Sequence, residues 1–125
     1  MNELLDKGTA WDVEQGEAFL TNNDNALFGA YMNNKLVGFL TAHRLQRFDT
    51  RKAEVLLYEI GVLPKYQKRG IGKALLAELK KWAKEVGADE IWVLTAQSNK
   101  AAIALYTASG GSVESNNEQL FVFKI

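Results

Sequence analysis

The stretch from Ala53 to Val86 constrains the fold more than any other part of the chain. Ala53 to Leu63 is an apolar run with β-branched and aromatic residues, and reads as a central buried strand. Pro64, the only proline, cannot donate a ladder hydrogen bond and marks where that strand stops. Gly70 to Val86 then reads as a helix. Ile71, Leu75, Leu79, Trp82 and Val86 recur at helical intervals and share one face, while Lys73, Lys80, Lys81, Lys84 and Glu85 occupy the rest. Gly87 supplies a natural C-terminal stop. A buried strand that leads straight into an amphipathic helix requires a layered α/β arrangement, with the helix laid on a sheet.

The flanking sequence extends that sheet. Asp12 and Gln15 have the spacing of a capping box and predict a short helix through Phe19 and Leu20. Ala26 to Met32 and Lys35 to Leu45 read as strands joined at Asn33-Asn34, where asparagine tolerates the positive φ of a tight hairpin. Glu90 to Thr95 reads as a second buried strand. A shorter helix follows from about Asn99 to Ser109, ended by Gly110-Gly111, and two final strands flank Asn116-Asn117. The expected architecture is a mixed, mostly antiparallel sheet with helices on both faces, and residues 1–125 are expected to form one domain.

Composition removes several classes of function. Fifteen basic and fifteen acidic residues cancel, so the chain lacks the basic excess that a nucleic-acid partner requires. The absence of cysteine excludes disulfides, thiolate metal sites and a cysteine nucleophile. His43 is the only histidine, so no multi-histidine metal site is expected. No apolar run is long enough to span a membrane, and the N-terminus lacks the pattern of a secretory signal, so no membrane partner and a cytoplasmic location are expected.

The chemistry centres on Gln67-Lys68-Arg69-Gly70-Ile71-Gly72, between the central strand and the long helix. A helix N-terminus exposes unpaired N–H groups and a partial positive charge. Glycines there let a diphosphate approach those groups without meeting a Cβ, and Lys68 and Arg69 add positive charge. The competing reading is that the glycines serve close packing.

The run Gln67 to Gly72 resembles the coenzyme A pyrophosphate loop of the GNAT acetyltransferase superfamily, whose pattern is Gln/Arg-x-x-Gly-x-Gly/Ala. Ile60-Gly61-Val62-Leu63-Pro64 is similar to the family strand that bonds the pantetheine arm, and Asn99 with Ala104-Leu105-Tyr106 resembles its second motif. Within the family, Tyr58-Glu59-Ile60-Gly61-Val62 and Ala104-Leu105-Tyr106-Thr107 are most like the aminoglycoside 3-N-acetyltransferase branch. The resemblance implies acetyl-CoA as cosubstrate, no metal, and acetyl transfer to a primary amine such as an aminoglycoside or another small amine. It implies coenzyme contacts from Ile60, Val62, Gln67, Lys68, Arg69, Gly70, Ile71, Gly72, Lys73, Asn99 and Tyr106.

Roles follow from the same resemblance. Glu59 would be the general base, although a strand carboxylate can equally face an edge and pair with a cation. Tyr106 would protonate the leaving thiolate, although an aromatic on a helix is ordinarily core. The Val62 N–H would hold the oxyanion, and Gly61 would mark the bulge that splays the strand. Asn99 is also the simplest helix cap. His43 and Arg44 are expected at the surface, and Trp11, Trp82 and Trp92 in the core. With no cysteine to carry an acyl group, direct attack in a ternary complex is expected. Asp49, Glu54, Glu59, Glu114 and Glu118 are candidate neighbours for a cationic acceptor.

The family's first strand has no counterpart before Ala26, since Glu3-Leu4-Leu5 is too short. That leaves two expectations: a sheet edge covered by a homodimer, and, as the alternative function, a non-catalytic acetyl-CoA-binding domain.

Overall fold

The computed structural model describes residues 12–125; Glu3-Leu4-Leu5 and Trp11 lie outside them. The described elements run α1 (Val13–Thr21), β1 (Asn25–Met32), β2 (Lys35–Leu45), β3 (Ala53–Val62), a 3-10 turn (Pro64–Tyr66), α2 (Ile71–Glu85), β4 (Ala88–Trp92) and α3 (Lys100–Ala108). The strands form a mixed sheet in the order β1-β2-β3-β4, antiparallel except for the parallel β3–β4 pair.

Local chemistry sets the boundaries. Asp12 caps α1 by accepting the Gln15 N–H at 3.1 Å. Asn33 and Asn34 take φ of 50° and 66°, which gives the β1–β2 hairpin the left-handed pair that a two-residue turn needs. Asn99 caps α3 by accepting the Ala102 N–H at 3.1 Å.

The core lies between one sheet face and α2. Leu40 and Ala42 of β2 and Val55 and Leu57 of β3 meet Leu75, Leu76, Leu79 and Ala83. Leu79 is fully buried, and truncating such a leucine to alanine costs about 2–5 kcal/mol. Trp82 and Val86 pack at the margin of this cluster. Strand alternation sends Thr41 and His43 to the opposite face, where the His43 ring meets Phe19 of α1 edge-on at 5.7 Å. Helices therefore lie on both faces.

Several expectations need correction. His43 and Arg44 are half-buried and bonded, not idle surface groups. His43 Nδ1 lies 2.8 Å from Asn25 Oδ1, and Arg44 Nε donates to the Val86 carbonyl at 2.9 Å. The strand expected at Glu90 to Thr95 is β4, which begins at Ala88, stops at Trp92 and forms a sheet edge. An edge strand has one neighbour, so Trp92 is 36% exposed and not core. The β2–β3 irregularity falls at Tyr58, between the Thr41–Glu59 and Ala42–Leu57 pairs, and not at Gly61. The two strands expected around Asn116-Asn117 are absent, and residues 112–125 are exposed without strand pairing.

Candidate functional site

The site begins where β3 and β4 part. They pair from Ala53–Ala88 to Leu56–Trp92 and no further, while β3 continues to Val62. The end of β3 thus has β2 on one side and an open gap on the other. The direction of its backbone groups follows from the ladder. Leu63 N–H donates to the Val37 carbonyl at 2.8 Å. Antiparallel residues alternate between bonded and non-bonded pairs, so Val62 and Ile60 turn their N–H and C=O groups away from β2 and into the gap. The Gln67 side-chain amide confirms the direction by donating to the Val62 carbonyl at 3.0 Å. That amide ties the loop to the strand, and Gln67 also lines the cleft beside it.

The loop that follows carries two left-handed residues, Lys68 at φ 62° and Gly70 at φ 84°. For lysine this conformation is strained, a condition that proteins tolerate where the backbone must be aimed. Gly70 is the N-cap of α2, and the first intrahelical bond runs from Ala74 N–H to its carbonyl at 3.0 Å. The N–H groups of Ile71, Gly72 and Lys73 have no intrahelical partner and face the cleft mouth with the positive end of the helix dipole.

A cleft of about 640 Å³ joins these parts. Its walls bring together Ile60, Val62, Gln67, Lys68, Gly70, Ile71, Gly72 and Lys73 with Asn99 and Tyr106 from across the gap. Arg69 stands outside it, with its guanidinium 5.4 Å from the Tyr66 ring centroid. The two glycines do different work. A Cβ on Gly70 would meet nothing within 4 Å, whereas one on Gly72 would stand 3.0 Å from Leu105 Cδ2. Gly70 leaves room at the helix terminus; Gly72 allows α3 to approach α2.

Tyr106 is half-buried on α3, and burial pushes its phenol above the ordinary value of 10.0. Glu59 is exposed at the β3 bulge, and its Oε1 accepts the Thr41 hydroxyl at 3.2 Å. Tyr58 stands beside it, 65% exposed, with its ring edge-on to His43 at 5.5 Å. Thr41 was missed from sequence; its only signal was a polar residue amid the apolar run of β2. The other acidic candidates do not converge here. Asp49 and Glu54 pair with Arg47 at 3.3 and 3.5 Å at the far end of β3, and Glu114 and Glu118 lie in the exposed C-terminal residues.

The chain fits a coenzyme A arm by these criteria: free strand edge, open glycine and unpaired helix N–H groups lie along one cleft. The acetyltransferase (GNAT) family profile matches residues 2–110. The chain belongs to the GNAT acetyltransferase family. A ribosomal protein bS18-alanine N-acetyltransferase of Salmonella typhimurium is 32% identical over 112 residues, 84% of this GNAT chain and 74% of that enzyme. An uncharacterised Mycobacterium leprae protein is 32% identical over 109 residues, 87% of this chain, but the match spans only 29% of that longer protein. Among solved structures, the aminoglycoside acetyltransferase meta-AAC0020 from an uncultured soil sample, in complex with sisomicin, superposes with a TM-score of 0.81 at 26% identity, covering 97% of this chain and 78% of that one. AAC(6')-Iy with a bisubstrate analogue, CoA-S-monomethyl-acetylneamine, gives 0.80 at 25% identity, covering 97% and 84%. This GNAT chain is thus an N-acetyltransferase by family, and the likeness extends across the family without singling out the 3-N branch.

Proposed function

We propose that this chain transfers an acetyl group from acetyl-CoA to a primary amine by direct attack, with Glu59 as base, the Val62 N–H as oxyanion donor and Tyr106 as acid. The observation that carries the reading is the parting of β3 from β4, which turns the Val62 N–H into a cleft ending at Gly70. Acetyl-CoA supplies the activated acyl group, with its diphosphate at the Gly70–Lys73 N–H groups.

Water returns the proton gained by Glu59 to the Tyr106 phenolate after each of the following transfers, which restores both groups. The amine nitrogen bonds to the thioester carbonyl carbon as the bond to sulfur breaks. The amine proton passes to the Glu59 carboxylate, and the thiolate takes the Tyr106 proton. A backbone N–H aimed at the developing oxyanion is the kind of contribution that can dominate acyl transfer. A phenol at the ordinary value of 10.0 already carries its proton at neutral pH, and burial of Tyr106 moves it further in that direction.

The acceptor reading is a primary amine reaching Glu59 past Tyr58. Relatives are named for a ribosomal protein alanine and for aminoglycosides. The test is coenzyme A release over a panel holding an alanine-started peptide, an aminoglycoside and simple polyamines, beside a thermal shift with acetyl-CoA. Saturation at 100 times Kd should stabilise the fold by about 2.7 kcal/mol. No shift and no calorimetric heat overturns the coenzyme site; binding without turnover on any amine overturns the catalytic reading alone.

A further inference from the structure

Leu57 and Ile60 of β3 both pack into the core cluster that α2 completes. They stand three residues apart, and strict alternation would send them to opposite faces. The bulge between the Thr41–Glu59 and Ala42–Leu57 pairs absorbs the extra residue. Tyr58 and Glu59 therefore both project from the face opposite α2, side by side. The Glu59 carboxylate is held there by the Thr41 hydroxyl, and the Tyr58 ring by His43 at 5.5 Å. Bulges re-aim side chains in this way beside reacting centres.

His43 is itself anchored. Asn25 Nδ2 donates to the Phe19 carbonyl at 3.0 Å, so Asn25 Oδ1 is the acceptor that faces His43 Nδ1 at 2.8 Å. The imidazole therefore carries a proton on Nδ1 and donates it to Asn25. Phe19 meets the same ring edge-on at 5.7 Å, so α1, β1 and β2 together fix the position of one exposed tyrosine. Asn25, Thr41 and the Nδ1 side of His43 spend their polar groups within the protein. What this face offers an acceptor is a row of rings, Phe19, His43 and Tyr58, beside a carboxylate. A hydroxyl-rich molecule gains little there, whereas apolar surface laid on a ring is removed from water.

We propose that Tyr58 is a specificity-determining residue of the acceptor site, held by His43 as a positioning residue, and that it selects primary amines carrying an apolar arm. The amine nitrogen meets Glu59 while the arm lies along the Tyr58 ring, which is 65% exposed. Consecutive Cα atoms are about 3.8 Å apart, so a short arm reaches from the carboxylate to the ring. Partial burial of a phenyl group on that ring favours such an amine about tenfold over one without it. The inference rests on the proposed entry of the amine past Tyr58 to Glu59, and not on Glu59 being the base.

The test is steady-state kinetics with ethylamine, phenethylamine and an aminoglycoside on the wild type, Tyr58→Ala and His43→Ala. The wild type should favour phenethylamine over ethylamine about tenfold in kcat/KM, carried by KM, and should favour it over the aminoglycoside. Both variants should bring the first ratio close to one by raising the KM for phenethylamine, with acetyl-CoA affinity retained. No preference in the wild type, a preference for the aminoglycoside, or an equal loss on both simple amines in Tyr58→Ala overturns the proposal. A ratio that survives His43→Ala overturns the positioning role; should that variant fail to fold, His43→Leu, which keeps apolar bulk there, takes its place. Failure of the catalytic reading shows differently, as no turnover on any amine. Calorimetric titration of the two simple amines into coenzyme A-saturated protein then decides. Tighter phenethylamine binding that is lost in Tyr58→Ala upholds the inference, and equal binding overturns it.

Discussion

The Thr41 hydroxyl donates to Glu59 Oε1 at 3.2 Å across the β2–β3 pair, beside the bulge at Tyr58. Thr41 is the buried polar side chain among the described residues, and Glu59 is exposed. One carboxylate oxygen is thereby occupied, which fixes the plane of the group and leaves Oε2 to accept a proton from an amine. Thr41→Val keeps the shape and removes the donor. Its kcat should fall about tenfold, the ~1.4 kcal/mol of one hydrogen bond, with acetyl-CoA affinity unchanged and Thr41→Ser restoring the rate. Equal losses in the serine and valine variants, read by steady-state kinetics, would sink the positioning role.

Glu59→Gln tests the base itself. Loss of a general base typically costs about 100- to 10,000-fold, with coenzyme binding retained. Near wild-type turnover at every pH would assign the proton to another group, leaving the coenzyme site standing.

The two loop glycines should separate binding from packing. Gly70→Asn and Gly70→Asp share shape and left-handed strain, and the space around the new Cβ is open. They differ in charge alone, so calorimetry should show the aspartate weakening acetyl-CoA binding at least tenfold beyond the asparagine. Gly72→Val drives a side chain into Leu105 and should cost about 1–3 kcal/mol by overpacking, read as a lower Tm. Equal affinity in the two Gly70 variants removes the phosphate from that position.

Tyr106 should leave a mark on stability at alkaline pH. Its folded pKa is raised by burial above the ordinary 10.0, so the folded state holds the phenol proton more tightly than the unfolded chain. This stabilisation is fully present below pH 10 and is lost as pH rises through the folded value. Melting curves should show wild type losing more Tm above pH 10 than Tyr106→Phe. Parallel curves would mean that the phenol is not desolvated.

Local chemistry made much of this protein legible from sequence. Asp12, Asn33-Asn34, Gly70, Gly87 and Asn99 act on their own neighbours through caps, left-handed turns and helix stops, so α1, the β1–β2 hairpin, α2 and α3 could be placed within a residue or two. The helix face of Leu75 and Leu79 and the strand ahead of Pro64 follow from periodicity in the same way. What depended on another element could not be read. β4 is the edge because among the described strands only β3 pairs with it, and β3 outruns it; that parting, not any residue type, opens the cleft. Gly72 reads like Gly70 until Leu105 arrives from α3. Thr41 gained its partner only through the bulge at Tyr58, which sets Glu59, eighteen residues away in sequence, opposite it. Asn116-Asn117 repeats the letters of Asn33-Asn34 and makes no hairpin, because a turn forms where its two flanking strands pay for it together, and residues 119–125 pair with no strand among the described residues.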